Sequence, residues 1–162
     1  MIFFKHTEYT NFKTNMKSTI ALLLVALLTT AFRSETKGSL VVSLSNITQT
    51  GKINVAIYRE GGEFPDDKFI VKTQTGECKS NVCSFQFEEI PFGEYAIAIY
   101  QDENGNGKLD TGTFGVPTEP FAFSNNFKPR WGGPTFEKCS FKFQQDKQSI
   151  SITMINSLFG GD

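Results

Sequence analysis

From Ser39 onward, apolar side chains recur at every second position, the period of a half-buried strand and not of a helix. Leu40, Val42 and Leu44 make one such face, and Ile53, Val55 and Ile57 make a second. Phe69 with Val71, Phe85 with Phe87, then Tyr95, Ile97 and Ile99, Phe141 with Phe143, and finally Ile150, Ile152 and Met154 complete seven short strands. Residues rich in Gly, Pro, Asn and Asp separate them at 46–51, 61–67, 91–93 and 146–147, the spacing of an all-β sandwich. One helical turn is expected within residues 62–68, where Phe64-Pro65-Asp66-Asp67 resembles a start signal. The expected architecture is an antiparallel β-sandwich of about seven strands, of the immunoglobulin or transthyretin kind, with a small closed barrel as the alternative.

The rhythm breaks once. After Tyr100 about thirty residues pass before Phe136, with at most a short strand at 121–123, and a loop of that length in a compact domain is usually functional or disordered. Its wealth of aromatic residues argues against disorder.

The N-terminal segment follows other rules. Met16-Lys17 precedes the apolar run 20–28 and then Thr29-Thr30-Ala31, the order of a secretory signal with a start at Met16. A membrane-spanning helix needs roughly 20 apolar residues, about twice what this run offers. A buried helix would need a cap or a polar face, and neither frames the run. The expected organisation is a signal peptide over 1–34, cut between Phe32 and Glu35, followed by one domain over 35–162. No cysteine stands near the cut, so a lipid anchor is disfavoured. The address is export, to the periplasm or beyond, with no integral membrane span in the mature chain.

Removing that segment changes the arithmetic. The remainder keeps 12 basic and 16 acidic side chains, 13 of the 17 phenylalanines, and no histidine, because His6 lies upstream. A mildly acidic domain has no electrostatic reason to bind nucleic acid. Without histidine, a Ser-His-Asp triad, a Cys-His dyad and a His-ligated zinc or iron site are excluded. Burial of an aromatic side chain is worth roughly 1.5 to 3 kcal/mol, so the phenylalanines supply a two-layer core without many crosslinks.

Export places Cys78, Cys83 and Cys139 in an oxidising compartment. Cys78 and Cys83 flank a tetrapeptide able to turn a hairpin, which makes them one candidate disulfide. Cys83 with Cys139 is the competing pair, because each shares an apolar strand face with phenylalanines. The local pair leaves Cys139 as a buried thiol.

The long loop opens on the most specific motif in the chain. Asp102, Asn104, Asn106 and Asp110 stand at relative positions 1, 3, 5 and 9, with Gly107 at 6 and the Lys108 carbonyl at 7, the pattern of an EF-hand calcium loop. Calcium takes six to eight oxygens, which carboxylates, amides, backbone and water supply. Thr113 replaces the bidentate Glu of position 12 and a strand replaces the entering helix, so this is no true EF-hand. Glu119 is the candidate late carboxylate. With two carboxylates among four regular positions, weak affinity is expected, roughly 10⁻⁴ to 10⁻³ M. The plain alternative is turn chemistry, since Asn-Gly pairs tolerate positive φ and Asx side chains cap their own backbone.

Downstream, Phe121, Phe123, Phe127 and Trp131 cluster among Asn, Arg and Glu, the makings of a ligand site for a saccharide or a partner protein. The alternative is that these rings fold inward to cap the sandwich.

The run from Phe92 through Gly93, Tyr95, Asp102-Glu103-Asn104-Gly105-Asn106-Gly107-Lys108-Leu109-Asp110, Phe114-Gly115-Val116-Pro117, Glu119-Pro120 and Phe123-Ser124-Asn125-Asn126 resembles the signature of the bacterial domain-of-unknown-function family numbered 2141. A Gly-Lys-Ile second strand and a Phe-Pro near Phe64 extend the resemblance over nearly all the mature chain. It implies an exported protein of this size and no established activity. Gln101 stands where the family often has His, which weakens any His-dependent site here.

The expected function is therefore an exported, non-enzymatic β-sandwich with a structural calcium loop and an aromatic loop that contacts a partner or ligand. The alternative is a small hydrolase of extracellular glycans, using Asp102, Asp110 and Glu119 as acid and base. A carrier for an apolar ligand between the sheets is disfavoured by the many phenylalanines that fill them.

Overall fold

The computed structural model describes residues 36–130 and 132–158; the signal-peptide reading over 1–34 and Trp131 lie outside the described residues. Residues from 36 onward belong to one compact unit, Thr36–Asp162. Eight strands form there: β1 (Lys37–Ser45), β2 (Lys52–Tyr58), β3 (Ile70–Glu77), β4 (Cys83–Pro91), β5 (Gly93–Asp102), β6 (Phe121–Phe123), β7 (Phe141–Phe143) and β8 (Gln148–Thr153). They build two sheets, one ordered β4-β1-β8 and the other β3-β2-β5-β6, with β7 also pairing β5. A strand forms at each of the seven expected places, although Phe69 lies in the turn before β3 and Met154 just past β8, and the eighth is the short one at 121–123.

Alternation decides which way each strand faces. Leu40, Val42 and Leu44 from β1 meet Ile53, Val55 and Ile57 from β2 and Ile97 and Ile99 from β5 in one core between the sheets. Phe85 and Phe87 of β4 stand opposite Val42 and Leu40 across an antiparallel ladder, and Ile150 and Ile152 of β8 stand opposite Val42 and Leu44. That second ladder is parallel, the one departure from an antiparallel fold among the strand pairs. It arises because the chain crosses from β7, beside β5, to β8, beside β1, and so enters the other sheet in the direction of β1.

The outer face of the larger sheet carries a second cluster. Tyr58, Phe64, Ala96, Phe121, Phe123, Cys139 and Ile155 are buried there. The segment after β5 thus folds back over the sheet instead of extending from its end. A helical turn at Phe136–Cys139, capped by Thr135, and two 3₁₀ turns, Thr113–Gly115 and Ser124–Asn126, lie in it. The turn expected within 62–68 forms at Asp67–Phe69, where the Asp66 carboxylate accepts from the Lys68 N–H at 3.0 Å.

Cys78 and Cys83 are disulfide-bonded, and Cys139 is a buried free thiol. The pairing of Cys83 with Cys139 is therefore incorrect, since Cys139 sits in the helical turn against the outer cluster and not on a strand face toward the central core. Burial pushes its thiol up to about 11. The bridge does not pin a hairpin either: β3 pairs with β2 and β4 with β1, so it fastens the corner where the chain passes between sheets. Closing a loop of sequence separation 5 restricts the unfolded chain by about 2 kcal/mol. The double substitution Cys78→Ser/Cys83→Ser is expected to lower the unfolding free energy in urea by about that amount; a change under roughly 0.5 kcal/mol would show that the corner is held by other contacts.

Candidate functional site

The 102–110 loop begins where β5 runs out. Asp102 is its last residue, 5% exposed, and its carboxylate turns back under the loop. Oδ1 accepts the N–H of Gly105 at 2.7 Å and of Asn106 at 3.1 Å, and Oδ2 accepts the N–H of Gly107 at 2.9 Å. Gly105 and Gly107 hold φ of 77° and 80°, values glycine adopts without steric cost. Asn104 and Asn106 repeat the device one step on: their Oδ1 atoms accept the N–H of Asn106 and of Lys108, each at 3.0 Å. Gly51 packs beneath, where a Cβ would lie 2.4 Å from the Asp102 carbonyl oxygen.

Three of the four regularly spaced side chains converge. The Asp110 carboxylate accepts from Asn104 Nδ2 at 2.5 Å and from Asn106 Nδ2 at 2.9 and 3.0 Å. Glu119, 5% exposed, is joined to the same loop: Oε1 accepts the Glu103 N–H at 2.9 Å and Oε2 the Asp110 N–H at 3.0 Å. One carboxylate thereby ties the start of the loop to its end. The Thr118 N–H donates to the Asp110 carbonyl at 2.9 Å, which seals the base.

Asp102, Asp110 and Glu119 are thus each tied into the one loop, and every donor named to them is a neutral backbone N–H or side-chain amide. Burying a carboxylate among neutral donors costs less than burying it bare, but it leaves the charge uncompensated. For a hard divalent cation the site offers Asp102, Asp110 and the Asn104 and Asn106 amides, whose oxygens each keep a lone pair after their single backbone bond. Among the described residues no group of three or more His, Cys, Asp or Glu side chains is arranged to hold a metal ion. Both oxygens of Glu119, like both of Asp102, accept backbone N–H groups, and Asp110 alone of the three carboxylates is bonded by side-chain amides.

The loop also walls a pocket. Tyr100 donates its hydroxyl to the Gly107 carbonyl at 2.9 Å, and Tyr100 and Leu109 line a pocket of about 420 Å³ on the outer face of the larger sheet. Ala56 and Ala98, directly paired across β2 and β5, make its floor, and Tyr58, Phe121 and Phe123 rise around them. Two of the four aromatic residues singled out in the sequence, Phe121 and Phe123, therefore face one pocket. Phe127 lies behind them, its ring centroid 6.3 Å from that of Phe123.

Sequence reasoning overlooked the residues that make the pocket possible. Ala56 and Ala98 lie in the outward register of β2 and β5, between tyrosines, and small side chains there leave a hollow. Ser124 was overlooked as well: β7 covers residues 93–95 of the β5 edge and β6 covers 98–100, and the Ser124 hydroxyl accepts the Ile97 N–H between them at 2.8 Å.

No curated protein and no solved structure matches this chain. Residues 42–151, which span β1 to β8 and include both the loop and the pocket floor, match the family described as an uncharacterized protein conserved in bacteria (DUF2141), and the chain belongs to that family.

Proposed function

We propose that the protein is an exported, non-enzymatic binding domain whose 102–110 loop takes a structural calcium ion and so fixes one wall of a ligand site. The observation that carries this reading is one loop in which Asp110 gathers the Asn104 and Asn106 amides while Asp102 and Glu119 accept its backbone N–H groups, so that its carboxylates meet only neutral donors. Asp102, Asp110 and the two asparagine amides would hold the ion, with the Lys108 carbonyl as a further oxygen. The ion would supply the missing positive charge and restrict a loop whose backbone ordering costs roughly 1 to 2 kcal/mol per residue.

The non-enzymatic reading rests on how the carboxylates are engaged. A general acid needs a proton-bearing oxygen facing substrate in a water-poor cleft. Here both oxygens of Asp102 and of Glu119 accept backbone N–H groups. Asp110 is bonded only by two asparagine amides, so an acid-base pair of the hydrolase alternative would still need Asp102 or Glu119 to leave its backbone partners. Export is supported by the order of basic, apolar and small residues over 16–31 and by the disulfide at the sheet corner, a bond that persists in oxidising compartments.

A thermal melt tests the calcium half. With a dissociation constant of roughly 10⁻⁴ to 10⁻³ M, about 10 mM calcium stabilises the folded state by about 1.4 to 2.7 kcal/mol, a rise of several degrees over the melt in chelator. Magnesium at the same concentration is expected to give a smaller rise, because it demands a tighter octahedral shell. Equal midpoints in calcium and in chelator would sink the reading and leave the loop as turn chemistry.

A further inference from the structure

The pocket over Ala56 and Ala98 has a chemistry of its own. Its floor is two methyl groups, its walls are the rings of Tyr58, Tyr100, Phe121 and Phe123 with Leu109 and Ile70, and its rim carries Asn54, Thr73 and Thr75. Asp67 is the one charged residue among those that line it; no lysine, arginine or histidine does. Its volume of about 420 Å³ falls within the range of small-molecule sites.

We infer that this pocket binds a small organic cation, an amine or quaternary ammonium carrying an apolar ring or chain. The inference names the ligand class for the binding half of the reading above and rests on that half, not on calcium. Three features converge on it. Aromatic faces present negative quadrupole to a cation, and four rings share this hollow. Asp67 at the rim adds a full negative charge, with Asp66 beside it in sequence. On the loop side the Tyr100 hydroxyl donates to the Gly107 carbonyl, which holds that ring in place as a wall of the pocket.

Burial, and after it the Asp67 carboxylate, pushes Tyr58 up to about 12. An anion would be repelled by Asp67, and a neutral ligand would leave that carboxylate unused.

The test uses phenyltrimethylammonium, its uncharged isostere tert-butylbenzene, and benzenesulfonate, each titrated into the purified protein by calorimetry and by ligand-observed NMR. The cation is expected to bind one to one, at least about tenfold tighter than the isostere, while the anion is not bound. Asp67→Asn is expected to weaken the cation about threefold or more, with the difference shrinking in high salt. Ala98→Phe, which fills the floor, is expected to abolish binding with the melting transition kept; Ala56→Leu serves the same end if that variant does not fold. An isostere that binds as tightly as the cation would overturn the ligand class while the binding role stands. Absence of binding by all three probes to the folded protein, or undiminished binding by a folded floor variant, would overturn the site itself.

Discussion

Asp102→Ala is expected to lower the unfolding free energy by about 3 kcal/mol in chelator, measured by urea denaturation with an unchanged slope. The carboxylate accepts three backbone N–H groups, from Gly105, Asn106 and Gly107, and is itself almost fully buried. Hydrogen bonds to a charged acceptor contribute roughly 1.5 to 3 kcal/mol each, but these donors lie on an exposed loop and regain water once released, so the sum falls well short of three full bonds. Asp110→Ala is the control. Its carboxylate accepts only from the side-chain amides of two exposed asparagines, and its loss in chelator is expected to cost less than about 1 kcal/mol. If the two substitutions were equally mild, Asp102 would not organise the loop. Calcium separates them further: both variants are expected to lose the calcium-dependent rise, whatever their stability without it.

Ser124→Ala is expected to cost about 2 to 4 kcal/mol, an unusually large effect for the loss of one oxygen atom. Ser124 is 1% exposed. Its hydroxyl accepts the Ile97 N–H at 2.8 Å and donates to the Cys139 carbonyl at 2.5 Å. Removing the oxygen orphans a buried strand donor and a buried carbonyl together, and no water reaches either without opening the outer cluster. Ser124→Thr or Ser124→Cys, which keep a polar atom, test whether the hydrogen bonds or the volume matter. Alanine within about 0.5 kcal/mol of the wild type would mean that the β5 edge closes up without the serine.

Much of the fold is legible because period-two alternation is a local signal. Leu40-Val42-Leu44 and Ile53-Val55-Ile57 declare both strand and facing without any tertiary information. What resists reading is set by pairing. β3 continues through Thr73, Gln74 and Thr75 with almost no apolar side chain, since it is an edge strand exposed along most of its length, and of the Phe69-Val71 pair that marks it in the sequence only Val71 lies in the strand. Cys139 resembles a strand residue beside Phe141 and Phe143, yet the Thr135 cap draws it into a helical turn. The crossing at Cys78 and Cys83 resembles a hairpin because the sequence carries turn residues but not the sheet that each flanking strand joins.

The candidate site divides in the same way. The spacing of Asp102, Asn104, Asn106 and Asp110 is a local pattern and shows in the sequence; the convergence of the last three follows from it. Glu119 stands out as a late carboxylate, but its two backbone bonds arise only because β6 pairs with β5 and returns the chain to the loop's base. The pocket is less legible still, since two alanines in an outward register mean little until strands β2 and β5 set them opposite each other.

The most direct test of the calcium loop is an NMR titration of the ¹⁵N-labelled protein, followed at the amides of Gly105 and Gly107. Both glycine N–H groups bond to Asp102, so any ion held by that carboxylate shifts them. The account predicts shifts concentrated over 100–110, saturating with one dissociation constant of roughly 10⁻⁴ to 10⁻³ M and absent in Asp110→Ala. Unmoved glycine amides at about 10 mM calcium, or small shifts scattered over surface carboxylates elsewhere, would contradict it.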